Sequence, residues 1–381
     1  MSVKEAESGT DSKQLAPGDE RVRQVSTVNR LLSRPELGSV SGAILVFAFF
    51  ALVAWDSGMF NADGVVNWTV VSAQLGIIAV GACLLMIAGE FDLSIGSMIG
   101  FAGMMIAIPA VYWDWPVWAA IIFAFIGAMA VGFINGYIVV RTGLPSFIVS
   151  LIVSLAFLFI LRGLTIAMSI ALTNKTIISG VGNLAEGDWL AAMFGGEIGV
   201  GFFNWLASVG WIETYSDGSP IVSGIPMVVV WWFLLTAVCS FVLLRTRFGN
   251  WIFASGGDAN AAKNVGVPTG RVKIMLFMFT AFCATVFAAC QVLEFGSAAA
   301  DRGLLKEFEA IIAAVIGGAL LTGGYGSVIG AFFGALIFGV VQMGIFFTGV
   351  DSDWFRVFLG VMLLIAVLFN NFIRKKVTSA R

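Results

Sequence analysis

The sequence predicts an all-α polytopic membrane protein with about ten transmembrane helices, some of them short or broken, and both termini in the cytoplasm. Three observations carry this. Of the 381 residues, 59% are hydrophobic and 12% charged, roughly half the charged share of a soluble domain, about 25%. Apolar runs near twenty residues recur along the chain, the length needed to span a hydrocarbon core of roughly 30 Å. The cations are also partitioned. Lys4, Lys13, Arg21, Arg23, Arg30, Arg34, Arg141, Arg245, Arg247, Lys263, Arg271, Lys273, Arg374, Lys375, Lys376 and Arg381 all fall on one face of a ten-span path. These are sixteen of 21 cations, and the positive-inside rule makes that face cytoplasmic.

In order, residues 1–38 are polar, contain Pro17 and Gly18, and read as a disordered cytoplasmic tail without a cleavable signal peptide. Spans follow at 39–57, 65–88, 94–112, 116–140, 146–164, 225–244, 274–294, 308–321, 327–348 and 354–372, within a membrane domain of 39–372. A short tail, 373–381, ends the chain. Trp55, Trp68, Trp113, Trp115, Trp118, Trp231 and Trp354 then gather at the outer interface as an aromatic belt. The extended outer segment 165–224 holds an apolar run, Ile198 to Ile212, too short and Gly-rich to cross comfortably. Interfacial helix and loop are expected there.

Enzyme chemistry has no foothold. With no histidine in the chain, HExxH zinc sites and histidine triads are excluded, and no GxxxxGK[ST] phosphate loop occurs. The four cysteines, Cys83, Cys239, Cys283 and Cys290, fall inside predicted spans without ligand spacing and read as small core residues. No metal, cofactor or nucleic acid is expected.

Polar residues within the spans are few. GEFDLSIGSMIG at 89–100 places Glu90 and Asp92 between two apolar helices, where a carboxylate costs roughly 2.5–3.5 kcal/mol unless it faces an interface or a wet cavity. Asp92 or Ser94 can cap the third span. Asn135 lies deep in the fourth span, and Pro145 opens the fifth. The run Glu309 to Leu321 is short and ends in TGGYG at 322–326. Such short, Gly-interrupted segments point to a transport path, for which Asp92, Ser94, Asn135 and Glu309 are the candidates. Gly96 and Gly100, and Gly326, Gly330 and Gly334, recur at four-residue spacing and suit close helix packing. One reading is an ion-coupled carrier using Glu90, Asp92, Glu294 or Glu309.

The stretch 245–273, RTRFGNWIFASGGDANAAKNVGVPTGRVK, is the longest markedly polar segment between two apolar runs. Asp258 is positioned as an N-cap, Ala259 to Val265 can form about two turns, Gly266 suits the left-handed C′ position, and Pro268 blocks continuation. Two turns, about 11 Å, are not stable alone in water. Either neighbouring span ends or a groove on a second protein must hold them.

Together DLSIGS (92–97), INGYIVVRTGLPSFIVSL (134–151), FGNWIFASGGDANAAKNVGV (248–267) and KEFEAIIAAVIGGALLTGGYGSVIGAFFGALI (306–337) resemble, in order, the motifs of permease subunits of bacterial ABC importers for simple sugars, the ribose-type branch. Asn250, Asp258 and Phe308 depart from that family's usual Arg, Asn and Leu, and the outer segment is longer than its norm. The resemblance implies two permease subunits, here a homodimer, in the inner membrane, capped by cytoplasmic ABC ATPases and served by a periplasmic sugar-binding protein. Under it, 245–273 becomes the coupling loop, with Asp258, Asn260, Ala261, Ala262, Lys263 and Gly266 in an ATPase cleft and Arg245 and Arg247 at its rim. ATP hydrolysis then belongs to the partner, and the acids of 165–224 (Glu186, Asp188, Glu197, Glu213, Asp217) offer the binding protein a landing surface.

Overall fold

The computed structural model describes residues 35–142, 146–351, 353–362 and 364. The expected N-terminal tail lies outside them as far as residue 34, as do Pro145, the end of the tenth expected span and the 373–381 tail. Helix α1 spans Pro35–Val53, α2 Ala62–Ile87, α3 Ile95–Tyr112, α4 Val117–Thr142 and α5 Ser146–Thr173. A run of short pieces follows: β1 Ile177–Ser179, α6 Val181–Leu184, α7 Trp189–Gly195, β2 Glu197–Ile198, α8 Val200–Ser208 and β3 Ile225–Pro226. Then come α9 Met227–Arg245, α10 Arg247–Gly257, α11 Ala259–Asn264, α12 Thr269–Phe295, β4 Ser297–Ala299, α13 Lys306–Ile316 and α14 Val328–Phe347. Residues 354–362 are also helical.

Among the described residues seven helices, α2, α3, α4, α5, α9, α12 and α14, are long and apolar enough to cross a membrane. They divide by burial. In α2, α3 and α12 at least 78% of the apolar window is buried, whereas α4, α5 and α9 bury 33% or less. The first three are therefore the core, and the others turn apolar faces outward as lipid-facing helices do. Helix α12 packs on α4, α3 and α2, while α14 packs on α2, α1 and α13.

Three boundaries differ from expectation. Helix α5 continues past Arg162 and Gly163 to Thr173, because the run LTIAMSIAL keeps its apolar character and one glycine costs a helix only about 1 kcal/mol. Helix α12 begins at Thr269, so Lys273 is helical and buried instead of belonging to a solvated loop. The eighth expected span, 308–321, is helical only as α13, whose eleven residues reach about 16 Å and cannot cross alone.

Non-helical chain precedes α13. Strand β4 pairs antiparallel with β1, Ile177 opposite Ala299, and the chain then follows α3 backwards. Ala298 lies beside Gly103, the Ala300 carbonyl beside Gly100, and the Gly303 carbonyl beside Gly96. Irregular backbone is tolerated at membrane depth only where protein covers it, and Ala298, Ala299 and Ala300 are buried. At the other end of α13, Gly317 meets Gly330 and the Ala313 carbonyl meets Gly334, so α14 packs backbone against backbone. Helix α8, nine residues long and about 13 Å, is too short to cross.

A Cβ on Gly100 would sit 2.2 Å from the Ala300 carbonyl oxygen, while nothing lies within 4 Å of one on Gly163. Gly100→Val is therefore expected to destabilise by about 1–3 kcal/mol and to lower the thermal midpoint of the purified chain, with Gly163→Val near wild type. Equal midpoints would contradict the packing of the extended segment on α3.

Candidate translocation path and coupling surface

Helix α2 stops at Ile87 because Gly89 takes a left-handed φ of +83°, and residues 88–94 run non-helical through the interior before α3 starts. Asp92 organises this break. Its Oδ1 accepts from the Ser94 N–H at 2.9 Å, the Ser94 hydroxyl at 2.5 Å and Asn135 Nδ2 at 3.2 Å, and its Oδ2 accepts from the Thr280 hydroxyl at 2.6 Å. Four donor contacts, from the break, α4 and α12, converge on this one carboxyl, three of them on Oδ1. Ser94 occupies the N-cap position of α3 but makes no capping bond, its backbone being helical where a capping residue is normally extended. Ser154 of α5 donates to the Phe91 carbonyl at 3.0 Å, and Ser97 of α3 to the Leu158 carbonyl at 2.8 Å. The break is thus tied to three flanking helices and sealed.

Two residues upstream, Glu90 forms a buried ion pair with Lys273 in the first turns of α12. Beside it three glycine segments touch. A Cβ on Gly256, at the end of α10, would sit 1.8 Å from the Ile87 carbonyl, and one on Gly323 would meet the Cα of Gly89 at 2.7 Å. The Gly324 N–H donates to that same Ile87 carbonyl at 2.8 Å. The ends of α2 and α10 and the α13–α14 turn therefore meet backbone to backbone.

Of the four path candidates, Asp92, Ser94 and Asn135 come together in one network, whereas Glu309 lies on α13 and pairs with Lys306 at 2.5 Å. The carboxylates that an ion-coupled carrier would use are all engaged: Glu90 and Glu309 in ion pairs, Asp92 in its network, and Glu294 by Gln74 Nε2 at 2.9 Å. Of the five proposed packing glycines, Gly96, Gly100, Gly330 and Gly334 face backbone carbonyls and Gly326 faces the Ile87 side chain. Thr280, Lys273 and helix α10 were not singled out in the sequence. Lys273 carried a signal, as an ionisable residue at the edge of an apolar run. Thr280 carried none, since a helical Thr ordinarily bonds its own backbone, and here its hydroxyl reaches Asp92.

The polar loop is two helices. Thr246 caps α10 by accepting from the Gly249 N–H at 3.3 Å, and Asp258 caps α11 by accepting from Asn260 N–H and Ala261 N–H, both at 2.9 Å. Gly266 closes α11 with φ +87°. Arg245, Arg247, Asp258, Asn260, Ala261, Lys263 and Gly266 are exposed. Ala262 is a correction: it is buried and holds α11 down on its own chain. Val265, unremarked in the sequence, is 80% exposed. On the outer segment Glu186, Glu197, Glu213 and Asp217 are exposed. Ser219 donates to Asp217 twice, holding its carboxyl below the usual range. Asp188 instead caps α7 and accepts from the Trp118 N–H at 2.8 Å.

Replacing either partner of the Glu90–Lys273 pair leaves a buried charge uncompensated, a cost of roughly 3–5 kcal/mol. Lys273→Met and Glu90→Gln are each expected to lower the thermal midpoint sharply, and the double variant to regain most of the loss. Additive losses would contradict the pairing.

Residues 64–367 match the family model described as branched-chain amino acid transport system / permease component. The xylose transport system permease protein XylH of Haemophilus influenzae is 30% identical over 364 residues, 88% of this chain and 96% of that protein. The ribose import permease protein RbsC of Escherichia coli is 27% identical over 349 residues, 91% of this chain and 98% of that one. The fructose import permease protein FrcC of Rhizobium meliloti is 28% identical over 309 residues, 80% of this chain and 76% of that one. No solved structure matches the chain. A family match across most of the membrane domain, with curated relatives covered nearly end to end, identifies the chain as a member of this permease family, in its ABC sugar-importer branch.

Proposed function

We propose that the chain is the membrane-spanning subunit of an ATP-driven importer in the bacterial inner membrane, and that it forms the path for a simple sugar. Its relatives are named for xylose, ribose and fructose; an uncharged substrate suits a membrane domain with few buried charges. Two copies form the membrane part, two ABC ATPases dock from the cytoplasm, and a periplasmic binding protein delivers the sugar to the acidic outer segment. The ATPases perform the hydrolysis.

The single observation behind the coupling role is the exposed α10–α11 pair whose inner end is fused to the α2–α3 break. A seven-residue excursion of backbone runs through the core between α2 and α3, and α10 touches its start where Gly256 meets Ile87 and Gly89. Closure of the ATPase pair on ATP shifts α11, α10 transmits the shift to the break, and Lys273 carries it from α12 to Glu90. ATP drives this only if the inward- and outward-open states differ in contact energy at α11.

Ala261→Glu puts a charge on the exposed face of α11, and Gly266→Val forces a branched side chain into left-handed backbone. Both are expected to keep the chain at normal membrane levels while ATP-dependent sugar uptake falls at least tenfold. Uptake itself should survive collapse of the ion gradient while ATP is maintained. Normal import by both variants would remove the docking assignment, and loss of import with the gradient would favour an ion-coupled carrier.

A further inference from the structure

The sealed Asp92 network leaves open which polar group of this chain faces the cargo. Next to it α3, α5 and the β4–α13 connection enclose a cavity of about 240 Å³. That is below the roughly 300–1,000 Å³ of a drug-sized ligand's site and on the scale of a smaller molecule. Its walls are mostly apolar, with Leu155, Leu158, Phe159, Leu304 and Phe308 among them, and Phe159 on α5 is 66% exposed.

Glu307 and Arg162 bring charge to this wall. Glu307 is only 3% exposed, yet among the described residues its carboxylate has no hydrogen-bond partner beyond its own backbone N–H. Arg162, half-buried across the cavity, is the cation whose field acts on it, while Glu309 and Asp92 repel it. Gly96 makes the room: a Cβ there would lie 2.0 Å from Glu307 Oε2. Glu307 stands in the first turn of α13 and Gly96 in the first turn of α3, so the starts of two helices converge on one cavity. A buried carboxylate normally finds several donors; this one has space beside it instead.

We propose that this cavity is a substrate-contact point of the path, in which Glu307 accepts hydroxyl hydrogen bonds from a passing uncharged sugar, Arg162 donates to the sugar's oxygens, and Phe159 and Phe308 face its C–H surface. This rests on the sugar-importer reading above. A carboxylate offers two adjacent acceptors to a vicinal diol and a guanidinium offers donors in a fixed fork, while the apolar wall admits the ring without holding it. Paired only weakly before the sugar arrives, the two charges are available to it.

The test is uptake of labelled D-xylose, D-ribose and D-fructose by cells carrying the full chain with its ATPase and binding protein. For whichever of these the wild type imports, Glu307→Gln and Arg162→Gln are expected to lower the maximal rate at least tenfold at unchanged protein level and thermal midpoint. Phe308→Trp, which narrows the cavity without touching the charges, is expected to change the ratio of pentose to hexose import at least threefold, a shift that a purely structural role does not produce. Wild-type import with all three variants unchanged in rate and ratio would overturn the site alone. A wild type that moves none of the three sugars would overturn the importer reading and the site with it.

Discussion

The contact on which the rest depends is the one between the glycine at the end of α10 and the carbonyl at the end of α2. There is no side chain in it. Gly256, Ile87, Gly89, Gly323 and Gly324 approach so closely that a methyl group at Gly256 or Gly323 has no place to go. Side-chain contacts yield by changing rotamer, whereas backbone in contact with backbone either moves together or separates. An exposed helix pair joined in this way to an irregular stretch in the core is a stiff connection between the surface and the interior. The buried Glu90–Lys273 pair adds a second connection from α12, whose start follows directly from the same exposed helices.

What that connection reaches is a membrane domain in which two non-helical stretches, 88–94 and 297–305, lie side by side. The α2–α3 break and the β4–α13 connection each expose helix starts to the interior, and each is covered by the other: the Gly303 carbonyl lies on Gly96, and Glu307 fills the space that Gly96 leaves. Interrupted helices are a recurrent way to place polar groups at the membrane midplane. Here the polar groups divide into two kinds. Asp92 is held by four donor contacts and fixes geometry, and Glu307 is buried beside open space. The distinction follows from hydrogen-bond accounting and not from residue type, since both are acids in short polar runs.

Much of this was legible in the sequence, and what was not has identifiable reasons. Span positions followed from apolar length, and the caps of α11 from Asp258 and Gly266, because both signals are local. The short span 308–321 was visible as short, but its missing half was not, since SAAADRGLL at 297–305 carries no strand or helix period. Helix α10 was hidden by its glycines, Gly249, Gly256 and Gly257, which read as loop, although Gly249 and Gly256 in fact serve close contacts. Lys273 was counted with solvated cations because its partner stands 183 positions away. The emphasis on Glu309 over Glu307 was a matter of helix face: neighbours in sequence point to different surroundings, one to Lys306 and the other to the cavity.

The most direct test of the account is hydrogen exchange across the break in the complex with the ATPase subunits, with and without a non-hydrolysable ATP analogue. If the backbone junction transmits the ATPase's motion, protection over 86–95 changes together with protection over 247–264 when nucleotide binds. If the exposed helices respond while 86–95 stays as it was, the junction does not carry the signal and the account is wrong.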